Sequence, residues 1–238
     1  MSIPGLLFDR QGAAGIITLN RPEALNALSI DMIRGIRRIL AECRDNAEIQ
    51  AIIFRGAGDR AFCAGGDIKA VYQAGAGESD PAKKAALAKL YFADEYHLNR
   101  DIFHFPKPTI AFMNGITMGG GFGIAGPCRF RGATEKTSFA MPEVGIGFFP
   151  DVGSMYFLTR VPEHMGHWLA LTGDKINGAN MIAFGLPTHA MPEDGIAACV
   201  AEICEGVSPA VSLDTHHRKH SERNESLRMV TGIIEKAF

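Results

Sequence analysis

The chain lacks the signatures of several large functional classes. No apolar run approaches the roughly 20 residues that a bilayer-crossing helix requires. Neither sign of charge is in surplus, since a net −2 over 238 residues provides no electrostatic footprint for nucleic acid or an anionic membrane surface. Its five cysteines, Cys43, Cys63, Cys128, Cys199 and Cys204, are odd in number and show no paired metal spacing. That pattern favours reduced thiols and a cytoplasmic protein. The opening residues MSIPGLLFDR have no charged segment followed by a long apolar one, so no secretory signal is expected. Arg10 is the only basic residue there, which makes a poor mitochondrial presequence. No G-x-S-x-G elbow occurs, which argues against a serine hydrolase of that type. His164 and His167, and the group His216, His217 and His220, have no clustered Cys or Asp at ligand spacing, so they are expected to be solvated and no metal is expected.

What remains is ordinary in bulk: 47% hydrophobic and 21% charged residues, enough chain for one sizeable core. Residues 5–19 read as a hairpin turning at Gln11-Gly12, followed by a loop to Leu28. Ser29 is a candidate N-cap for a helix reaching about Arg44. Ala51-Ile52-Ile53-Phe54 is wholly apolar, as suits a parallel strand covered on both faces. A glycine loop from Gly56 to Asp67 follows it, then a helix start at Asp67 and a small polar linker from Gly75 to Asp80. Pro81 opens a helix that reaches about Ile102, with Asp80 as its cap. The pattern then repeats: strand Thr109–Met113, then a second glycine loop from Asn114 to Gly123. Strands are expected near 128–132 and 137–139, and helices at 153–160, 163–171, 178–184 and 193–204. No boundary is visible before about residue 206, giving one domain over 1–205 and a short helical segment over 206–238, in which Leu227, Val230 and Ile234 keep helical spacing.

Two matching strand–glycine-loop–helix units set two helix N-termini side by side. Their unpaired N–H groups, approachable where glycine has no Cβ, could form an oxyanion hole; the alternative is that the glycines only permit tight turns and close packing. Gly121-Phe122-Gly123-Ile124-Ala125-Gly126 fits the dinucleotide pattern G-x-G-x-x-G. It begins eight residues past its strand, however, and Pro127 follows where a helix should continue, so it reads as a chance match. Cys63 reads as a small buried thiol in preference to a thiolate at a helix start.

Three acids stand out. Glu143 and Asp151 lie in FAMPEVGIGFFPDVG (139–153), each directly after a proline, with no Lys or Arg in the stretch. Desolvation would raise their pKa values and suit them to acid–base work; as turn residues facing water they would do neither. Glu95 falls inside the apolar stripe Leu87, Tyr91, Leu98, Ile102. A carboxylate on a buried face requires either a cation, with Arg100 or Lys107 in reach, or a place in a site.

The segments LNRPEALNAL (19–28), GAGDRAFCAGGDIKAVY (56–72), MNGITMGGGFGIAG (113–126) and FAMPEVGIGFFPDVGSMYFLTR (139–160) resemble the enoyl-CoA hydratase/isomerase, or crotonase, superfamily over roughly residues 5–205. Within it, the ITMGGG loop and the paired PE…FPDVG acids resemble the 3-hydroxyisobutyryl-CoA hydrolase branch. The resemblance implies an α/β fold, a spiral of ββα units with a helical C-terminal region longer than this chain's. It implies hydrolysis of a short branched β-hydroxyacyl-CoA in valine catabolism, with Gly66 and Gly120 as oxyanion donors. Glu143 would act as nucleophile or base, with Asp151 and Glu95 completing the site. It also implies that Leu25, Ala27, Ala64, Asp67, Ile68 and Gly119 line the substrate channel. No cofactor is implied beyond the coenzyme A of the substrate, no nucleic acid or membrane partner, and a homo-oligomer (trimer or hexamer), with a monomer as the other option. The second glutamate of the hydratases is missing at Gly123, which argues against hydration; enoyl-CoA hydration by Glu143 alone, or CoA binding without catalysis, are the alternative functions. Glu23 replaces a usual lysine, which weakens contact with CoA phosphates, and Ser154-Met155 replaces glycines, which narrows the acyl pocket.

Overall fold

A computed structural model of the chain describes residues 3–218 and 231–234. Strands β1 (Leu6–Gln11) and β2 (Ala14–Leu19) form the expected hairpin, pairing Leu6 with Leu19 and Gln11 with Ala14. A 3-10 turn over Pro22–Ala24 interrupts the loop that follows. Helix α1 (Ile30–Arg44) begins where Ser29 accepts a 3.2 Å hydrogen bond from the Met32 amide. It buries Met32, Ile33, Ile36, Ile39 and Leu40, the face set by its three-to-four spacing.

The next part of the chain winds through ββα turns. The first is β3 (Ala51–Gly56), β4 (Ala61–Cys63), then α2 (Ile68–Ala76) and α3 (Pro81–Phe103). The second is β5 (Thr109–Met113), β6 (Ile116–Met118) and α4 (Gly120–Ala125). The third is β7 (Phe130–Ala133) and β8 (Ser138–Ala140), followed by α5 (Ser154–Leu158) and α6 (Met165–Thr172). Two-residue strands β9 (Ile176–Asn177) and β10 (His189–Ala190) flank α7 (Gly178–Ala183), and α8 (Glu193–Cys204) and α9 (Pro209–His216) follow. In each turn the first strand joins one sheet and the second joins another. The six-stranded order is β1-β2-β3-β5-β7-β10 and the four-stranded order β4-β6-β8-β9. Pairings β3–β5–β7 and β4–β6–β8 are parallel.

Because successive strand residues face opposite sides, β2 serves two cores. Ile17 and Leu19 join the large one with Phe54, Phe62, Phe122 and Phe139, while Ala14 and Ile16 join a smaller one with Ile53, Phe112 and Cys199. Truncating one of the large core's phenylalanines to alanine should cost about 3–5 kcal/mol. Leu213 of α9 is buried in the smaller core and Ile234 in the larger. Leu227 and Val230 lie outside the described residues.

Three expectations change. Both glycine loops contain a short strand, β4 and β6, and the second runs directly into α4. The first two glycines of G-x-G-x-x-G therefore do lie on a helix, which ends at Ala125 with Gly126 as its cap just before Pro127. They serve close packing: a Cβ on Gly121 would collide with the carbonyl of Cys63 in β4. Leu87 is 41% exposed and does not share the buried face of α3, which is formed by Tyr91, Glu95, Leu98, Asn99 and Ile102.

Candidate active site

The first glycine loop is held by the stretch before α1. Leu25 and Asn26 are left-handed, at φ 51° and 57°. The buried Asn26 side chain accepts from the Arg21 amide and donates to the carbonyls of Ala57 and Ala61. That conformation lets Leu25 accept from the Ala64 amide at 3.0 Å, and lets Leu28 bond both Gly65 (2.8 Å) and Asp67 (2.9 Å). Gly66, between the last two, keeps its N–H out of this pairing. Asp67 caps α2 by accepting from the Ala70 amide and pairs with Arg21 at 2.9 Å.

The second loop delivers Gly120 as the first residue of α4, where an N–H has no acceptor within its own helix. The loops touch: a Cβ built on Gly120 would lie 3.0 Å from the Gly66 nitrogen, and one on Gly65 would lie 3.6 Å from the Gly120 nitrogen. Gly119 is at φ +49°, and a Cβ there would sit 2.7 Å from Oε1 of Glu143. A Cβ on Gly120 would strike Oε1 of Glu95. The left-handed backbone requires glycine at position 119, and at 120 a Cβ would displace the Glu95 carboxylate and crowd the Gly66 nitrogen.

A cavity of about 360 Å³ opens over this junction. Gly66, Gly120, Glu95, Glu143 and Asp151 line it, with Phe92 and Phe148 stacked at 5.6 Å along one wall. No Lys, Arg or His is among the described residues that line it. Glu95 is 2% exposed and Glu143 9%, and one carboxylate oxygen of each has no hydrogen-bond partner among the described residues. Neither Arg100 nor Lys107 serves Glu95. Arg100 meets Asp101, and Lys107 donates to the carbonyls of Cys43 and Asn46. Burial, followed by the charges of Asp151 and Glu143, pushes the Glu95 pKa up to about 8. Burial raises Glu143 to about 7, with Asp151 adding to it. Burial also raises Asp151, against the lowering effect of a 2.6 Å hydrogen bond from Tyr96 Oη to its Oδ2. Asp151 precedes a strained turn, because the β-branched Val152 sits at φ +48°, where non-glycine residues are outliers.

Ala64, Ile68 and Gly119 line the same cavity. Asp67 lines a neighbouring hollow against α1 and α3. Leu25 and Ala27 border neither and stand beside the first loop. Ser154 and Met155, expected to narrow the acyl pocket, line a separate hollow on the far side of Asp151. Cys63 is fully buried, and burial pushes its thiol up to about 12, so it is inert. Tyr96, Phe92 and Phe148 escaped the sequence reading. Tyr96 stands next to Glu95 in the chain yet lies off the buried stripe, and its hydroxyl meets Asp151, which is 55 residues away in sequence. Among the described residues, no group of three or more His, Cys, Asp or Glu could hold a metal ion, and no helix is long and apolar enough to cross a membrane.

A family profile described as enoyl-CoA hydratase/isomerase matches residues 14–238. The chain belongs to that family. Enoyl-CoA hydratase/isomerase relatives include the mitochondrial 3-hydroxyisobutyryl-CoA hydrolase of Danio rerio, 45% identical over 98% of this chain and 62% of the relative. The protein of the same name from Rattus norvegicus is 43% identical over 90% of this chain and 55% of its own length. Among solved structures, a carnitinyl-CoA dehydratase from Mycobacterium thermoresistibile superimposes with a TM-score of 0.88 at 35% identity, covering 99% of this chain and 66% of that one. The chain thus spans somewhat under two thirds of the length of these relatives, and the crotonase-type spiral expected from its motifs is the fold it has.

The expected cytoplasmic location is overturned by the relatives, whose names place them in mitochondria. Neither premise discriminated. Reduced thiols suit any reducing compartment, and the first residues of a chain covering 62% of its relative do not report on targeting.

Proposed function

We propose that this chain carries a site that hydrolyses the thioester of a short branched β-hydroxyacyl-CoA. The thioester oxygen accepts from the Gly66 and Gly120 amides, which stabilise the negative charge that develops on it as the carbonyl carbon becomes tetrahedral. Glu143, with a pKa of about 7, is substantially ionised at neutral pH. It either attacks the carbonyl carbon, expelling the coenzyme A thiolate and forming an anhydride that water then opens to the free acid and the regenerated Glu143 carboxylate, or takes a proton from a water that attacks directly. In both cases the departing thiolate takes up a proton to become the free thiol. Glu95, at about 8, stays largely protonated at the same pH and can donate. Asp151, oriented by Tyr96, faces the β-hydroxyl. Coenzyme A enters as part of the substrate, with no separate cofactor.

The observation that carries hydrolysis over hydration is at Gly123. A Cβ there would lie 2.8 Å from the Val152 Cβ and 3.0 Å from Asn99 Nδ2, which donates to the Gly123 carbonyl. The space that a second glutamate would need is filled by the turn that carries Asp151. The name of the dehydratase structure at 35% identity points the other way, but the hydrolase relative is closer at 45%.

The test is free-thiol release from 3-hydroxyisobutyryl-CoA beside ultraviolet loss of crotonyl-CoA. Thioester cleavage should dominate; faster crotonyl-CoA hydration would sink the proposal. A single turnover in ¹⁸O-water then tests the nucleophilic role of Glu143, since label reaches its carboxylate only through an anhydride that water opens at the Glu143 carboxyl carbon.

A further inference from the structure

A second cavity, of about 480 Å³, lies between the segment joining α3 to β5, the residues entering β7, helix α5 and the turn at Gly185. Among the described residues its charged lining is Lys107, Arg129, Arg131 and Arg160, with no carboxylate. None of the four is ion-paired with a carboxylate of the described residues. Two guanidinium groups are fixed in place. Arg131 donates through Nε to the Leu186 carbonyl and through Nη1 to those of Gly126 and Cys128, and its carbon lies 5.4 Å from the Phe157 ring centre. Its Nη2 has no acceptor among the described residues. Arg160 lies 3.6 Å over the Tyr156 ring and donates to the Tyr156 carbonyl.

Sharing one cavity with no carboxylate among the described residues that line it, such groups repel one another, and guanidinium groups do not escape by losing protons. We infer that this cavity is a binding site for a phosphate-bearing small molecule, gripped by Arg131 and Arg160 with Arg129 at the rim. A phosphate dianion answers several positive charges and matches the planar donor fork, which a single carboxylate does less well. The volume is within the range of small-ligand sites. The proposal does not depend on the thioester chemistry.

The test is isothermal titration of the full chain with pyrophosphate, inorganic phosphate and acetate at low ionic strength. Pyrophosphate should saturate one site, phosphate should bind it more weakly, and acetate should give no saturable heat over the same range. Arg160→Gln and Arg129→Gln, each folded by circular dichroism, should weaken pyrophosphate binding by about tenfold or more. Arg131→Gln is not the decisive variant, because Arg131 also ties three carbonyls together. Glu143→Ala should leave the affinity unchanged, which separates this site from the thioester cavity. No saturable pyrophosphate binding, or full affinity in both the Arg160 and Arg129 variants, would overturn the inference.

Discussion

The stretch from Asp151 to Arg160 borders two cavities of opposite charge. Among the described residues, one holds Glu95, Glu143 and Asp151 without a cation and the other holds Lys107, Arg129, Arg131 and Arg160 without an acid. The two cannot resolve their repulsion in the same way. Crowded carboxylates retain protons, as the raised pKa values of Glu95 and Glu143 record. Guanidinium groups remain charged at any ordinary pH, even though burial lowers the pKa of Arg131. The acidic cavity therefore stores its imbalance as protons ready to be transferred, and the basic cavity can only be balanced by something that enters it.

The comparison breaks most visibly if the acids prove idle. Glu143→Ala should lower kcat for free-thiol release by about 10²–10⁴-fold, and undiminished turnover would remove Glu143 from the chemistry. Gly120→Ala comes next, since a Cβ there meets Oε1 of Glu95 and approaches the Gly66 nitrogen. Displacing one oxyanion donor should cost up to about 10²–10³ in kcat, and near-normal kcat would mean that the tight placement of the Gly120 amide beside Gly66 is not what catalysis depends on.

Proton storage has a stability consequence of known sign. The folded-state pKa of Glu95 is raised from 4.5 to about 8, so between those values the folded chain binds more protons than the unfolded one. Stability then falls as pH rises through that window. Glu95→Gln cannot ionise and should be more stable than the parent at pH 8 by on the order of 3 kcal/mol. The difference should shrink to nothing near pH 4, as read by urea unfolding at both values. A constant difference across the range would mean that Glu95 is not held protonated by its surroundings.

How much of this was visible in the residues alone depends on sequence distance. Ser29, Asp80 and Pro81 marked their helix starts because caps act within one turn. Glu95 was found because a charge in an apolar stripe is a local anomaly. β4 and β6 were hidden, being three residues each and stabilised by parallel partners from other turns of the spiral. The basic cavity was hidden for a related reason: Lys107, Arg131 and Arg160 are each unremarkable where they stand, and only packing around α5 puts them together. The Gly66–Gly120 contact is equally long-range, but its two glycine loops announced themselves by repetition.

Tyr96→Phe should have the smallest effect and gives the finest test of how the acidic cavity distributes its protons. Tyr96 is 39% exposed and not part of the buried face of α3, so removing its hydroxyl should barely alter folding. What is lost is the hydrogen bond to Asp151 Oδ2, which favours the ionised form and holds the Asp151 pKa below where burial alone would put it. Without it the Asp151 pKa rises, the charge that Asp151 places on Glu143 and Glu95 is partly withdrawn, and their pKa values fall. The expected result is a drop in kcat of about threefold to tenfold, on the scale of one ordinary, partly solvated hydrogen bond, with KM nearly unchanged. In the parent, the kcat profile should rise through about 7 and fall above about 8, as macroscopic values of the coupled set. In Tyr96→Phe both limbs should move towards lower pH. A loss of rate with both limbs in place would mean that Tyr96 only packs against the site, and that Asp151 is electrostatically uncoupled from the two glutamates.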